Sequence, residues 1–252
     1  MPKPVFDRPL RRRIAPLLIF GTVALLLTTA GCTAWRLGQA RDLANRSEPV
    51  QQQPSSSRAR LLIVGDSTAV GTGAADAANS VAGRLAAAYP GLWLDNLGRD
   101  GARWADLPVQ LEGASRYDVV LILAGGNDVI RLSSMTELER SIDATLTSAR
   151  RISERVVVMP AGNVGNAPFF FWPLSVWMTE RSRTFHAAVQ AGAERHGAAY
   201  VSLFEERADD PFAQHRGLNA SDGLHPSDTG YALWWKALTT QTRLSDWIAA
   251  AR

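Results

Sequence analysis

Leu61 to Ala74 reads LLIVGDSTAVGTGA, and this stretch decides the fold class. Leu61, Leu62, Ile63 and Val64 form an unbroken apolar run, the mark of a short strand buried on both faces. Gly65 lets the chain turn without a Cβ clash, so Asp66 and Ser67 fall at the carboxyl edge of a sheet, where a helix or turn begins. Open α/β sheets build their sites at that edge. Ser67 is there either a helix cap or a nucleophile whose own N–H faces a developing negative charge. Partners elsewhere in the chain must decide between them.

Downstream the chain alternates strand and helix patterns. Val81, Leu85 and Ala88 share one helical face before Pro90-Gly91 stops the helix, and Leu92 to Leu97 reads as the second strand. NLGRDGA follows, from Asn96 to Ala102. Its Gly98 and Gly101 mark either a tight turn or a backbone brought close to a ligand, and in the second case the Gly101 N–H is a second oxyanion donor. Tyr117 to Leu123, the most apolar run, reads as the central third strand. It leads into Gly125-Gly126-Asn127-Asp128, where the Asn127 amide can donate toward the same point and Asp128 caps or braces the loop. Ser134 with Glu137 forms a capping box ahead of Leu138, Ile142 and Leu146. Arg155 to Met159 and Ala198 to Leu203 read as strands four and five, with Trp177 to Glu194 helical between them. The crossover PFFFWPLSVWM, Pro168 to Met178, is dense in aromatics. Phe169, Phe170, Phe171, Trp172 and Trp177 either pack under the next helix or line a groove for an apolar substrate group.

The amino-terminal part is different in kind. No charged residue occurs from Ile14 to Trp35, and Arg11, Arg12 and Arg13 stand directly before that run. This is a membrane-directed segment with its basic flank on the cytoplasmic side, so the folded domain lies in the cell envelope, on the extracytoplasmic (periplasmic) face. Its length suits a spanning anchor, with Trp35 and Arg36 at the interface. Ala30-Gly31-Cys32 also resembles the end of a bacterial lipoprotein signal with Cys32 lipidated, although Thr29 stands where such signals carry Leu, and simple cleavage of a signal sequence is the third reading. Gln51 to Ser57, with Pro54 and three serines, reads as a flexible tether. The expected division is an anchor over 1–36, a linker over 37–58 and a folded domain over 59–252. Eight basic residues face two acidic ones before Glu48 in a chain of net charge +3, so the folded domain is net acidic and has no basic surface for nucleic acid. Cys32 is the single cysteine, which excludes disulfides, zinc–thiolate sites and cysteine catalysis from that domain.

Asp222-Gly223-Leu224-His225-Pro226 closes the set. An Asp three residues before a His, in a loop turned by glycine and fixed by proline, can accept the Nδ1 proton and leave Nε2 facing outward as a base. His186, His196 and His215 read as surface or core residues. No further cluster of His, Asp or Glu suggests a metal.

Together these blocks resemble the SGNH, or GDSL-type, hydrolase family: Gly65-Asp66-Ser67, then Gly101 after Asn96, then Gly125-Gly126-Asn127-Asp128, then Asp222 with His225, in that order. The resemblance implies Ser67 as nucleophile, Asp222 and His225 as its triad partners, and Ser67, Gly101 and Asn127 as oxyanion donors. It implies a flavodoxin-like, three-layer α/β/α sandwich with about five parallel strands, needing no cofactor. Thr68 replaces the Leu of the family name. The runs GDSTAVG, GGNDV and SDGLHPSDTGYALW look most similar to the bacterial lysophospholipase and esterase branch, which implies a small-molecule or lipid ester as substrate. An envelope carbohydrate O-acetyl esterase shares the whole machinery, and a glycan- or lipid-binding protein could keep the fold without turnover.

Competing patterns fail on single residues. Asp76 stands where a dinucleotide fingerprint needs its third glycine, no lysine completes a phosphate loop, and there is no G-x-S-x-G elbow.

Overall fold

The computed structural model describes residues 8–251. A long helix, α1 (Arg8–Arg46), precedes β1 (Ala59–Gly65), α2 (Ser67–Val70), α3 (Val81–Ala88), β2 (Leu92–Asn96), α4 (Leu107–Leu111) and β3 (Val119–Leu123). Then come α5 (Gly126–Ile130), α6 (Met135–Ile152), β4 (Val156–Val158), α7 (Leu174–Arg195), β5 (Ala199–Tyr200), α8 (Pro211–Gln214), α9 (Asp228–Gln241) and α10 (Leu244–Ala250). The five strands are all parallel, in the order β2-β1-β3-β4-β5. This is the doubly wound arrangement expected from the alternating pattern, and its switch point lies between β1 and β3.

Successive side chains of a strand face opposite ways, and the two faces are covered by different helices. Leu61 and Ile63 pack with Val81 and Leu85 of α3, Tyr231, Trp234 and Leu238 of α9, and Leu244 and Ile248 of α10. Leu62 and Val64 pack with Leu107 of α4, Leu138, Ile142 and Leu146 of α6, and Phe185 and Val189 of α7. Burial on both faces explains why β1 and β3 are continuous apolar runs rather than alternating ones. Ser134 caps α6 as expected, its hydroxyl accepting the Glu137 N–H at 3.3 Å.

Several elements differ from the sequence reading. α7 begins at Leu174, before Trp177, and β5 is cut to Ala199–Tyr200. α10 carries no strong sequence signal, yet Leu244 and Ile248 are buried. The stretch read as a tether is structured over much of its length: α1 continues to Arg46, and Gln52 bridges antiparallel to Leu94. Gln51 receives the Asn96 N–H at 2.9 Å and donates to the Asn96 carbonyl at 2.7 Å, while Gln52 donates to the Leu92 carbonyl at 2.8 Å. β2 is an edge strand, and these amides satisfy its open hydrogen-bonding side.

Within α1, Ile19–Arg46 is long and apolar enough to cross a membrane, and its most apolar window is not buried against the protein. By length and composition it suits an anchor or a signal sequence. Cys32 is exposed on it.

Candidate active site

The carboxyl ends of β1 and β3 supply the first half of the site. At Gly65 (φ 153°) an added Cβ would lie 1.9 Å from the Leu123 carbonyl oxygen, so only glycine lets the two strand ends approach this closely. Asp66 caps α2, one carboxylate oxygen accepting from the Thr68 N–H (2.8 Å) and the Thr68 hydroxyl (2.7 Å). Its other oxygen accepts the Gly125 N–H at 3.0 Å, which ties the turn after β1 to the turn after β3. Burial pushes the Asp66 carboxyl upward, against these hydrogen bonds. Thr68, the departure from the family name, thus adds a donor to this bracket. Ser67 follows, buried, in the first turn of α2.

The second half comes from the loop before α9. Asp222 is fully buried and accepts the Leu224 and His225 N–H groups at 2.9 and 3.1 Å. The Asp222 carboxylate and His225 Nδ1 are 2.6 Å apart, and His225 Nε2 is 2.9 Å from the Ser67 hydroxyl. Burial opposes charge on Asp222, but the His225 ring and the two amides outweigh it and hold the carboxyl below the usual range. An ionised carboxylate can only accept, so Nδ1 carries the proton and Nε2 is free to accept from Ser67. Asp222, His225 and Ser67 therefore form one continuous hydrogen-bonded chain.

Ser67, Asn127 and His225 border a single cavity of about 100 Å³. The Asn127 amide donates to the Ala102 carbonyl at 3.2 Å, which holds it beside the 98–102 loop. Gly101, in that loop with φ 77°, does not itself line the cavity, and the Arg131 guanidinium lies 3.0 Å from where its Cβ would be. Neither the Ser67 nor the Gly101 N–H has a hydrogen-bond partner among the described residues. Asp128 braces the loop as expected, accepting from the Trp104 N–H and the Ser133 hydroxyl at 3.0 and 2.9 Å. No group of acidic, His or Cys side chains suited to a metal occurs among the described residues.

A sequence profile described as the GDSL-like lipase/acylhydrolase family matches residues 63–233, more than half of the chain. The chain belongs to the GDSL-like lipase/acylhydrolase family. Membership makes it an ester hydrolase by class. A comparison with curated proteins finds no match. Among solved structures, this acylhydrolase is similar to an α/β hydrolase enzyme from the metagenome of Lake Arreo, Spain, at 21% identity and a TM-score of 0.58, over 74% of this chain and 95% of that one. It is also similar to the acetylxylan esterase of Geobacillus stearothermophilus, at 23% identity and a TM-score of 0.53, over 74% of this chain and 94% of the other. At such identities the likeness is one of fold.

The aromatic segment requires a correction. None of Phe169, Phe170, Phe171, Trp172 and Trp177 lines the acylhydrolase's cavity. Phe170 packs on the core and meets Phe169 edge-on at 5.0 Å, whereas Trp172 is 81% exposed. The segment does leave the sheet at the site's edge, but Phe171, Trp172 and Trp177 are exposed rather than turned into the cavity. Asn163, Leu203, Asp210, Phe212, Asn219 and Trp234 line the cavity instead. No sequence signal marks them, because they come from separate loops, from α8 and from α9. Gln110 is a further residue without a motif: its buried amide exchanges two hydrogen bonds with Gly65, at 2.8 and 2.9 Å.

The other histidines are structural. His186 is buried between the Tyr200 hydroxyl (2.6 Å) and the Ala161 carbonyl (2.8 Å), and burial lowers it to about 4. His196 meets Asp143 at 3.0 Å on the surface side, and His215 is exposed.

Proposed function

We propose that this acylhydrolase is a serine esterase for short acyl esters, with Ser67 as nucleophile, His225 as general base and Asp222 as the residue that orients it. The Asp222–His225–Ser67 relay at the wall of the cavity carries the reading. His225 Nε2 takes the Ser67 proton as the hydroxyl attacks the ester carbonyl, and the resulting imidazolium is stabilised by the ionised Asp222. The Ser67 and Gly101 N–H groups, both unbonded, and the Asn127 amide are the oxyanion donors. The imidazolium then protonates the leaving alcohol. Water, activated by the same imidazole, hydrolyses the acyl-enzyme and returns the proton to Ser67.

Cavity size supports a short acyl group. A cavity of ~150 Å³ holds one benzene molecule, so about 100 Å³ fills with a few carbons. The cavity opens to solvent, so the acyl chain of a long-chain lysophospholipid would run out of it rather than be enclosed. The polar lining from Asn163, Asp210 and Asn219, beside Phe212 and Trp234, favours a hydroxyl-bearing leaving group such as a carbohydrate, a second reading on the same chemistry. In this proposal α1 anchors the chain and the domain over 59–252 works outside the cytoplasm. Hydrolysis of p-nitrophenyl acetate by wild type and by Ser67→Ala tests it. Equal turnover by both would reject Ser67, and none by either would leave a binding protein on this fold.

A further inference from the structure

The start of α7 carries an exposed apolar cluster that the hydrolytic site does not use. Trp172 (81% exposed), Val176 (55%), Phe171 (49%), Trp177 (48%) and Leu174 (43%) lie within seven consecutive residues. Soluble domains rarely expose so many large apolar side chains in so short a stretch without a partner. Two sets of contacts fix where it sits. The Arg36 guanidinium of α1 lies 4.8 Å from the Phe171 ring centroid and donates to the Pro168 carbonyl, and Gln39, one turn on, accepts from the Ser221 hydroxyl at 3.1 Å. On the other side, the Phe169 N–H donates to the Gly223 carbonyl at 2.8 Å, inside the loop that carries Asp222 and His225. The aromatic segment therefore spans from the anchor helix to the His225 loop.

We propose that Phe171 to Trp177 is a bilayer-docking surface, which rests in the head-group region of the membrane that holds α1 and seats the cavity beside that membrane. Height is the first argument. The exposed apolar side chains of α1, among them Phe20, Val23 and Leu27, lead up to Trp35, and Arg36 is the residue that touches the cluster. A spanning helix puts Trp35 and Arg36 at the interface. A lipid on Cys32 would hold Arg36 within about 6 Å of its attachment point along a helix. Either route brings the cluster to the level of the head groups. Chemistry is the second. Indole rings beside aliphatic side chains suit the interface, where one end of the ring is wet and the other apolar, and Arg36, stacked on Phe171, suits anionic phosphates. This goes beyond ester hydrolysis and stands on α1 as the anchor, not on the relay.

The test uses the full chain in vesicles of phosphatidylethanolamine and phosphatidylglycerol, with part of the lipid brominated just below the head group. Emission of Trp172 is obtained as the difference between wild type and Trp172→Phe. Docking requires that this emission be blue-shifted, quenched by the brominated lipid and protected from aqueous iodide. In Leu174→Ser/Val176→Ser the docked-to-undocked ratio should fall about tenfold or more per side chain, while turnover of a water-soluble short ester stays within about twofold. Trp172 emission open to iodide and untouched by brominated lipid overturns the proposal. So does a cross-linked dimer in the vesicles that the double serine variant abolishes, since a second copy would then cover the surface. Should the double variant unfold, the quenching of wild-type Trp172 decides alone, and because it reads no turnover it is separable from failure of the esterase proposal.

Discussion

His225 Nε2 lies 2.9 Å from the Ser67 hydroxyl, although the two residues are 158 positions apart in the chain. One comes from the turn after β1 and the other from the loop before α9. The hydroxyl contributes little to packing, so Ser67→Ala should abolish turnover of a short p-nitrophenyl ester and leave Tm nearly unchanged. Near-wild-type turnover in that variant would remove Ser67 from the mechanism.

Asp222→Asn keeps the shape of the buried side chain but replaces an acceptor-only group facing His225 Nδ1. The imidazole then favours the tautomer that puts its proton on Nε2, toward Ser67. Turnover should fall by about 10⁴-fold with a smaller effect on KM. A loss of less than tenfold would mean that the His225 orientation does not depend on this carboxylate.

Asn127 is held by the Ala102 carbonyl, at the cavity and outside the proton relay. Asn127→Ala should lower kcat by ~10²–10³-fold, about 3–4 kcal/mol of lost oxyanion stabilisation. Its thermal unfolding should be close to that of the wild type. If kcat is unchanged, the amide does not face the reacting carbonyl.

Acyl length should be limited by the cavity. We expect kcat/KM for p-nitrophenyl esters to be highest for acetyl or butyryl and to drop at octanoyl. Leu203→Ala, at the cavity wall, should shift the preference toward longer chains. A steady rise with chain length in the wild type would instead place the acyl group outside this cavity.

Burial holds His186 at about 4 in the folded chain against 6.5 for the free side chain. Between those values the unfolded chain binds a proton that the folded chain does not. The contribution of His186 is therefore complete above its unfolded value and is lost as pH falls toward 4, about 3 kcal/mol in total. Asp128, raised by burial to about 6, acts in the opposite sense and stabilises the fold as pH drops below 6. Urea unfolding at several pH values should thus show a shallower acid loss in His186→Gln than in wild type. Parallel curves would show that His186 takes up its proton at the same pH in the folded and the unfolded chain.

The sequence by itself determined the doubly wound sheet, because Leu61 to Val64 and the run ending at Leu123 are too continuously apolar for anything but strands covered on both faces. It also singled out Ser67, Asn127, Asp222 and His225. Their chemistry is local: a glycine at a strand end, or an Asp three residues before a His in one turn. Only the tertiary structure decided what surrounds them. The cavity wall at Leu203, Phe212 and Asn219 is set by how loops from different crossovers meet over the switch point, and no periodicity records that meeting. Gln51 and Gln52 read as tether because they are polar, and they dock because β2 has an open edge that needs donors and acceptors. Trp172 and its neighbours read as a groove or a core, since composition reports that a side chain is apolar and not what covers it. Their exposure is set by the packed chain, and the contact of Arg36 with Phe171, between residues remote in sequence, exists only once α1 is packed beside the domain.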